Sequence, residues 1–302
     1  MCGIAGLFLK NESLEPELGG LLAGMLGTLC DRGPDSAGFA VYGATQKGRV
    51  KLTLRVPADA DVAAVEQALS DATGGKASVT VRNSHLLVAL PEDSEQAVRK
   101  LLASRFPEVD VVSFGRRIEM YKDMGRPDRV AERFGLASMS GSHAIGHTRM
   151  ATESAVTTSG AHPFTTGPDQ CLVHNGSLSN HNLMRRRLIR EGIRFETEND
   201  TEVAAGYLAW RMQSGDSLGE ALEGALSDID GFYTFVVGTE HGFGVLRDPI
   251  ACKPAVMAET DDYVAFGSEF RALADLPGIE KARVWEPEPA KVYFWERPHD
   301  GR

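Results

Sequence analysis

MCGIAGLF, residues 1–8, opens the chain, and its reading decides the fold. With Leu9 it forms an unbroken run of small and apolar residues, which reads as a short buried strand. A cysteine stands second. If Met1 is removed, Cys2 carries both a thiol and a free α-amine, whose ordinary pKa values are about 8.5 and about 7.7–8.0. One residue then holds a nucleophile and a base that titrate near neutrality, with no need of a histidine partner. Taken alone, such a start is most simply a small residue exposed by methionine excision, so the downstream segments have to decide.

Outward from that strand, LGGLLAGMLGTLCDRG reads as an apolar helix closed by glycine, and DSAGFAVYG as a second strand. From about residue 49 to about 123 the texture changes. RVKLTLRV is a strand, and DVAAVEQALSDA is a helix with Val62, Val65 and Leu69 on one face. ASVTVRN and HLLVALP are strands, SEQAVRKLLASRF is a helix, and VDVVSFGRRIEMY is one last strand. The order βαββαβ is that of a ferredoxin-like module, expected here as an inserted subdomain spanning 49–123. Within it GGKAS lacks the first glycine of a phosphate loop, because Ser70 stands in that place.

After a connecting helix at RPDRVAERFGL come short strands separated by glycine, proline and aspartate turns. Helices are expected at HNLMRRRLIREG, TEVAAGYLAWRM and SLGEALEGALSD. The pattern predicts an α+β fold of two stacked, mainly antiparallel sheets flanked by helices.

The formal net charge of -10 and the lack of a basic stripe argue against nucleic acid as a partner. No apolar run approaches the roughly 20 residues of a membrane span, and no signal-like segment opens the chain. The expected location is cytoplasmic, with no membrane partner. Cys2, Cys30, Cys171 and Cys252 show no CxxC spacing, and the histidines show no zinc spacing, so neither a disulfide framework nor a metal site is expected.

Three segments could carry chemistry with Cys2. In VHNGSLSN, Asn175 and Gly176 end an apolar strand, where a side-chain amide and a backbone N–H can point at a developing oxyanion; an isolated Asn-Gly is more often a turn. In GHTRMATES, Arg149 and Thr152 follow a strand, and arginine suits a bidentate grip on a carboxylate or a structural ion pair. In ENDTEV, Asp200 precedes a helix, as an N-cap or as a partner for a substrate ammonium.

Together MCGIAGLF, RGPDSAG, GHTRMAT, HPF, HNGSLSN, NDTEV, DGFYTFVV and LRDPIACKPAV…FGSE resemble the class II glutamine amidotransferases, the N-terminal-nucleophile group. The resemblance runs from Cys2 to about Leu273, interrupted by the insert. It implies a four-layer αββα sandwich, with the amidotransferase domain taking residues 1–302 and enclosing the insert. It also implies Cys2 as nucleophile with its own α-amine as base, Asn175 and Gly176 as the oxyanion hole, and L-glutamine as substrate. Arg149, helped by Thr152, would bind the glutamine carboxylate and Asp200 its ammonium. Two positions depart from relatives: Met150 replaces a frequent Trp or Phe, and Glu153 replaces the His of sugar-aminating members. The glutamine-covering loop is therefore expected to close differently, with low unassisted glutaminase activity.

Because these motifs and the insert account for nearly the whole sequence, the ammonia acceptor is expected on partner subunits. GHTRMATESAVTT, TENDTEVAAGYL and DPIACKPAVMAETDDYV are most similar to the small amidotransferase subunit of N-methylglutamate synthase and related split glutamate synthase-like systems. That resemblance implies no cofactor in this chain and FMN and iron-sulfur clusters in the partners. A catalytically idle scaffolding or regulatory subunit and another N-terminal-cysteine amidohydrolase are the rival readings. Arg149 and Asp200 argue against the second, whose substrates need no amino-acid clamp.

Overall fold

The computed structural model describes residues 2–151 and 155–297. The first part runs β1 (Gly3–Leu9), α1 (Leu18–Thr28), β2 (Ser36–Tyr42), β3 (Arg49–Arg55), α2 (Val62–Thr73), β4 (Ser78–Arg82), β5 (His85–Pro91), α3 (Glu95–Arg105) and β6 (Asp110–Gly115). Then follow β7 (Ile118–Met124), α4 (Pro127–Phe134), β8 (His143–Arg149), β9 (Phe164–Gly167), β10 (Gln170–Leu178), α5 (His181–Arg190), α6 (Asp200–Gln213) and α7 (Leu218–Asp228). The chain ends with β11 (Gly231–Gly238), β12 (Gly242–Arg247), β13 (Val256–Glu259), β14 (Tyr263–Gly267), β15 (Arg283–Trp285) and β16 (Val292–Glu296).

These strands form three sheets, ordered β15-β13-β14-β1-β8-β2-β7, β16-β12-β11-β10-β9 and β4-β5-β3-β6. The period of two in β1 explains why the first two sheets stack. Ile4 and Phe8 enter a core shared with Val173, Val236 and Phe243 of the five-stranded sheet. Ala5, Leu7 and Leu9 point the other way, onto Leu22 and Leu26 of α1 and Phe134 of α4. The outer face of the five-stranded sheet is covered by α5, α6 and α7 through Leu188, Val203, Tyr207 and Leu222. Helices thus lie outside both facing sheets, and each completely buried Leu or Phe contributes roughly 1.5–3 kcal/mol. Cys2 shares the parity of Ile4, which sets it at the end of the inter-sheet face.

The four-stranded sheet has its own core of Leu52, Leu54, Val88, Val65, Leu69, Val98 and Leu102, with α2 and α3 packed on it. Asp61 caps α2 by accepting from Ala64 N at 3.0 Å. The single strand expected to close this unit is instead two strands, and the second belongs elsewhere: β7 pairs with β2 in the seven-stranded sheet. The break lies where the Asp169 carboxylate accepts from the backbone N–H groups of Arg116, Arg117 and Ile118 at 2.6, 2.8 and 2.9 Å. A Cβ on Gly115 would lie 2.3 Å from Asp169 Cγ, so only glycine passes. The small sheet therefore ends at Gly115 rather than near 123.

The sequence reading also left unassigned two edge strands, β15 on β13 and β16 on β12. No helix among the described residues is long and apolar enough to cross a membrane.

Candidate active site

At the end of the inter-sheet face, β1, β8 and β10 bring three distant segments together. Cys2, Arg149, Met150, Gly176, Asp200 and Lys253 all line one cavity of about 440 Å³. Cys2 Sγ lies 3.8 Å from the Met150 carbonyl oxygen. Alternation along β10 turns Asn175 toward the seven-stranded sheet, where its Nδ2 donates to the Cys2 carbonyl at 3.1 Å. The next residue must be glycine, since a Cβ at Gly176 would sit 2.0 Å from the Phe232 carbonyl oxygen on β11. Arg149 is buried, and one guanidinium nitrogen donates to the Ala155 carbonyl at 3.3 Å. Thr152 lies outside the described residues.

Asp200 was open to an N-cap reading, but Asn199 is the cap: its Oδ1 accepts from Thr201 N at 2.9 Å. Asp200 is the first helical residue, and its Oδ2 accepts from Leu178 N at 3.0 Å. The capping asparagine also donates from Nδ2 to the Gly160 carbonyl at 3.0 Å.

Beneath the cavity lies a group of buried histidines. His147 Nε2 donates to the His174 carbonyl at 2.9 Å, and its ring stacks on His162 with centroids 3.9 Å apart. His162 Nε2 and His174 Nδ1 both meet the Thr201 hydroxyl, at 2.7 and 2.9 Å. Burial pulls His147 down to about 3 and His162 well below its ordinary value. His174 is lowered as well, by burial first, with Asp200 opposing and Lys253 assisting. Neutral rings packed in this way orient their neighbours and carry no charge at physiological pH.

Residues 147–275 match the family model described as a glutamine amidotransferase domain. Over 297 residues the chain is 62% identical to the "Glutamine amidotransferase-like protein GlxB" of Rhizobium meliloti (strain 1021), covering 98% of each. The chain belongs to the class II glutamine amidotransferase family. Members of that family with such domains are enzymes, among them glutamine--fructose-6-phosphate aminotransferase [isomerizing] of Xylella fastidiosa (strain 9a5c). That protein is 42% identical over 118 residues, 38% of this chain and 19% of its own length. In structure the chain resembles the glutamine phosphoribosylpyrophosphate amidotransferase from B. subtilis complexed with ADP and GMP, with a TM-score of 0.63 at 20% identity. The match covers 98% of this chain and 47% of that one, and it shows a shared α+β fold of antiparallel sheets.

Two groups at or beside this cavity have no role in the sequence reading. Arg32, 7% exposed, donates from Nε to the Cys2 carbonyl at 3.0 Å and pairs with Glu269. Burial pushes the Glu269 carboxyl up, but hydrogen bonding to Arg32 and the charges of Arg32 and Arg271 outweigh it and hold the group below its ordinary value. The signal was present in RGPDSAG, whose Asp35 also accepts from Ala151 N at 2.8 Å, but the partner Glu269 lies far along the chain. Lys253 is the other. Its ammonium lies 4.9 Å from the Phe232 ring centroid. Arg247 orders the loop before it through the carbonyls of Ala251 and Lys253, at 2.5 and 2.8 Å.

Proposed function

We propose that the chain is a glutaminase subunit that hydrolyses L-glutamine to glutamate and ammonia, with Cys2 of a processed N-terminus as nucleophile. The observation that carries this reading is the shared cavity: a buried guanidinium, Arg149, and a carboxylate, Asp200, line the same space as the Cys2 thiol. A cation and an anion in that relation suit the carboxylate and ammonium of an α-amino acid, with Thr152 assisting Arg149.

In this mechanism the α-amine of Cys2 takes the thiol proton, and Sγ attacks the side-chain amide carbon of glutamine. The carbonyl becomes an oxyanion held by Asn175 Nδ2, which keeps a second N–H beyond its bond to the Cys2 carbonyl, and by the Gly176 N–H. Collapse breaks the C–N bond, the α-ammonium returns its proton to the leaving nitrogen, and ammonia departs. Water, deprotonated by the same amine, then attacks the thioester and releases glutamate and the thiol. Arg32 and Asn175 together fix the Cys2 carbonyl, which restrains the nucleophile's backbone without touching substrate.

The ammonia goes to partner subunits of a glutamate synthase-like system, N-methylglutamate synthase in particular, whose FMN and iron-sulfur clusters lie outside this chain. The unit built on β3 to β6 is the ferredoxin-like insert of a four-layer N-terminal-nucleophile sandwich, and it serves docking. Treatment with the glutamine-like diazoketone 6-diazo-5-oxo-L-norleucine should place one adduct on Cys2, as read by peptide mass spectrometry, with glutamine protecting. Saturating diazoketone that leaves Cys2 unmodified would favour the idle scaffold instead.

A further inference from the structure

A second cavity, of about 410 Å³, lies between the inserted unit and the core, lined by Phe114, Lys122, Phe164, Thr197 and Glu202 among others. Two segments separate it from the glutamine cleft. One is the strap 155–163, which supplies Ala155 to Arg149 and His162 to the cleft floor. The other is 195–199, which leads into Asp200. Glu202 holds the second by accepting from Glu196 N, Thr197 N and the Thr197 hydroxyl at 2.7, 2.8 and 2.7 Å.

The first strap is held by a buried lysine. Lys122 Nζ donates to the carbonyls of Ser159, Ala161 and Pro163 at 3.0, 2.9 and 3.3 Å, which engages all three of its N–H groups. The carbonyl between them, on Gly160, accepts from Asn199 and so ties the two straps together. Lys122 is anchored tightly from below. It stands opposite Gly38 of β2, where a Cβ would lie 2.5 Å from Lys122 Cβ and 2.2 Å from the His162 carbonyl oxygen. Without the ammonium, three carbonyls would converge in a buried space with no donor, a costly arrangement that the strap can relieve only by moving.

We propose that Lys122 is a positioning residue for glutamine recognition: by drawing three carbonyls of the 155–163 strap onto one ammonium, it fixes His162 and the Gly160–Asn199 contact, and with them the span between Arg149 and Asp200. This rests on the glutaminase reading. Lys122 touches neither Cys2 nor the cleft, so its effect falls on binding and not on the reactivity of the thiol.

A pH signature follows from the surroundings. Burial lowers Lys122 to about 8, against the opposing charges of Glu202, Glu196 and Asp110, while Arg55 adds to the lowering. His162, on the strap that Lys122 holds, is kept well below its ordinary value by burial and so stays neutral while Lys122 titrates. As pH rises through about 8 the ammonium loses a proton and can no longer serve three carbonyls.

The test uses the full chain and 6-diazo-5-oxo-L-norleucine, separating the half-saturation constant from the maximal inactivation rate, with iodoacetamide labelling of Cys2 as a measure that needs no clamp. Lys122→Met should raise the half-saturation constant by roughly tenfold, keep the maximal rate within about threefold and leave iodoacetamide labelling unchanged. Lys122→Arg should restore most of the loss. The wild-type half-saturation constant should climb above pH 8 relative to that of Lys122→Arg, which keeps its charge. An unchanged constant in Lys122→Met, or a parallel loss of all three measures without rescue by arginine, overturns the proposal. If Lys122→Met does not fold, coincident pH profiles of wild type and Lys122→Arg overturn it. A wild-type chain never modified at Cys2 overturns the glutamine reading itself, and this proposal with it.

Discussion

The two cavities flanking the 155–163 strap are similar in size and both are lined by charge, yet they use that charge differently. Beneath the insert, Lys122 gives its donors to three carbonyls, Glu202 its acceptors to three donors, and Arg55 pairs with Asp110. In the cavity proposed for glutamine, the Asp200 carboxylate accepts from Leu178 N and the Thr201 hydroxyl at 3.0 and 3.5 Å, with His174 Nδ1 at 3.7 Å, and shares the space with a thiol, Arg149 and Lys253. A polar cavity becomes a binding site when its charged groups are held in place by neighbours and still offered to a ligand. On the proposed reading, the first cavity takes the ligand and the second holds the walls of the first.

The largest effect expected from breaking this contrast is at Gly176. Gly176→Ala would drive a Cβ into the Phe232 carbonyl and displace the backbone N–H assigned to the oxyanion. Turnover at saturating glutamine should fall roughly a hundredfold to a thousandfold, as for loss of one oxyanion donor. A fall of less than about threefold would remove that strand from the mechanism. At the other extreme is Leu69, completely buried in the core of the insert. Leu69→Ala should lower stability by roughly 2–5 kcal/mol in a denaturant titration, while the KM and kcat for glutamine stay within about twofold below the transition. A large change in KM would show that the insert's interior shapes the cleft directly.

Much of this was legible because it is local. The buried strand β1 and the order of elements between β3 and β6 follow from short apolar runs and periodicities in the sequence. Asn175 and Gly176, by contrast, expected at a strand end, lie inside β10, which pairs with β11 as far as Leu178. What escaped depends on partners far along the chain. The break between β6 and β7 needs Asp169, and the grip on Cys2 needs the pair of Arg32 with Glu269. Lys122 sits in a strand of alternating residues, and nothing local marks three carbonyls arriving from 159–163. Asn199 and Asp200 are both good caps, and only the fold shows that the first takes that role and leaves the second to the cleft. The edge strands β15 and β16 are short and largely exposed or half-buried, so they lack the apolar pattern of the central ones.

The central claim, that the mature N-terminus is the catalyst, is tested most directly by comparing glutamine hydrolysis of the processed chain with a form that retains Met1 and with Cys2→Ala. The account predicts ammonia release from the processed chain only, with both altered forms reduced by at least about a thousandfold, because one loses the α-amine as base and the other the nucleophile. Wild-type turnover from the form that retains Met1, or from Cys2→Ala, would contradict it.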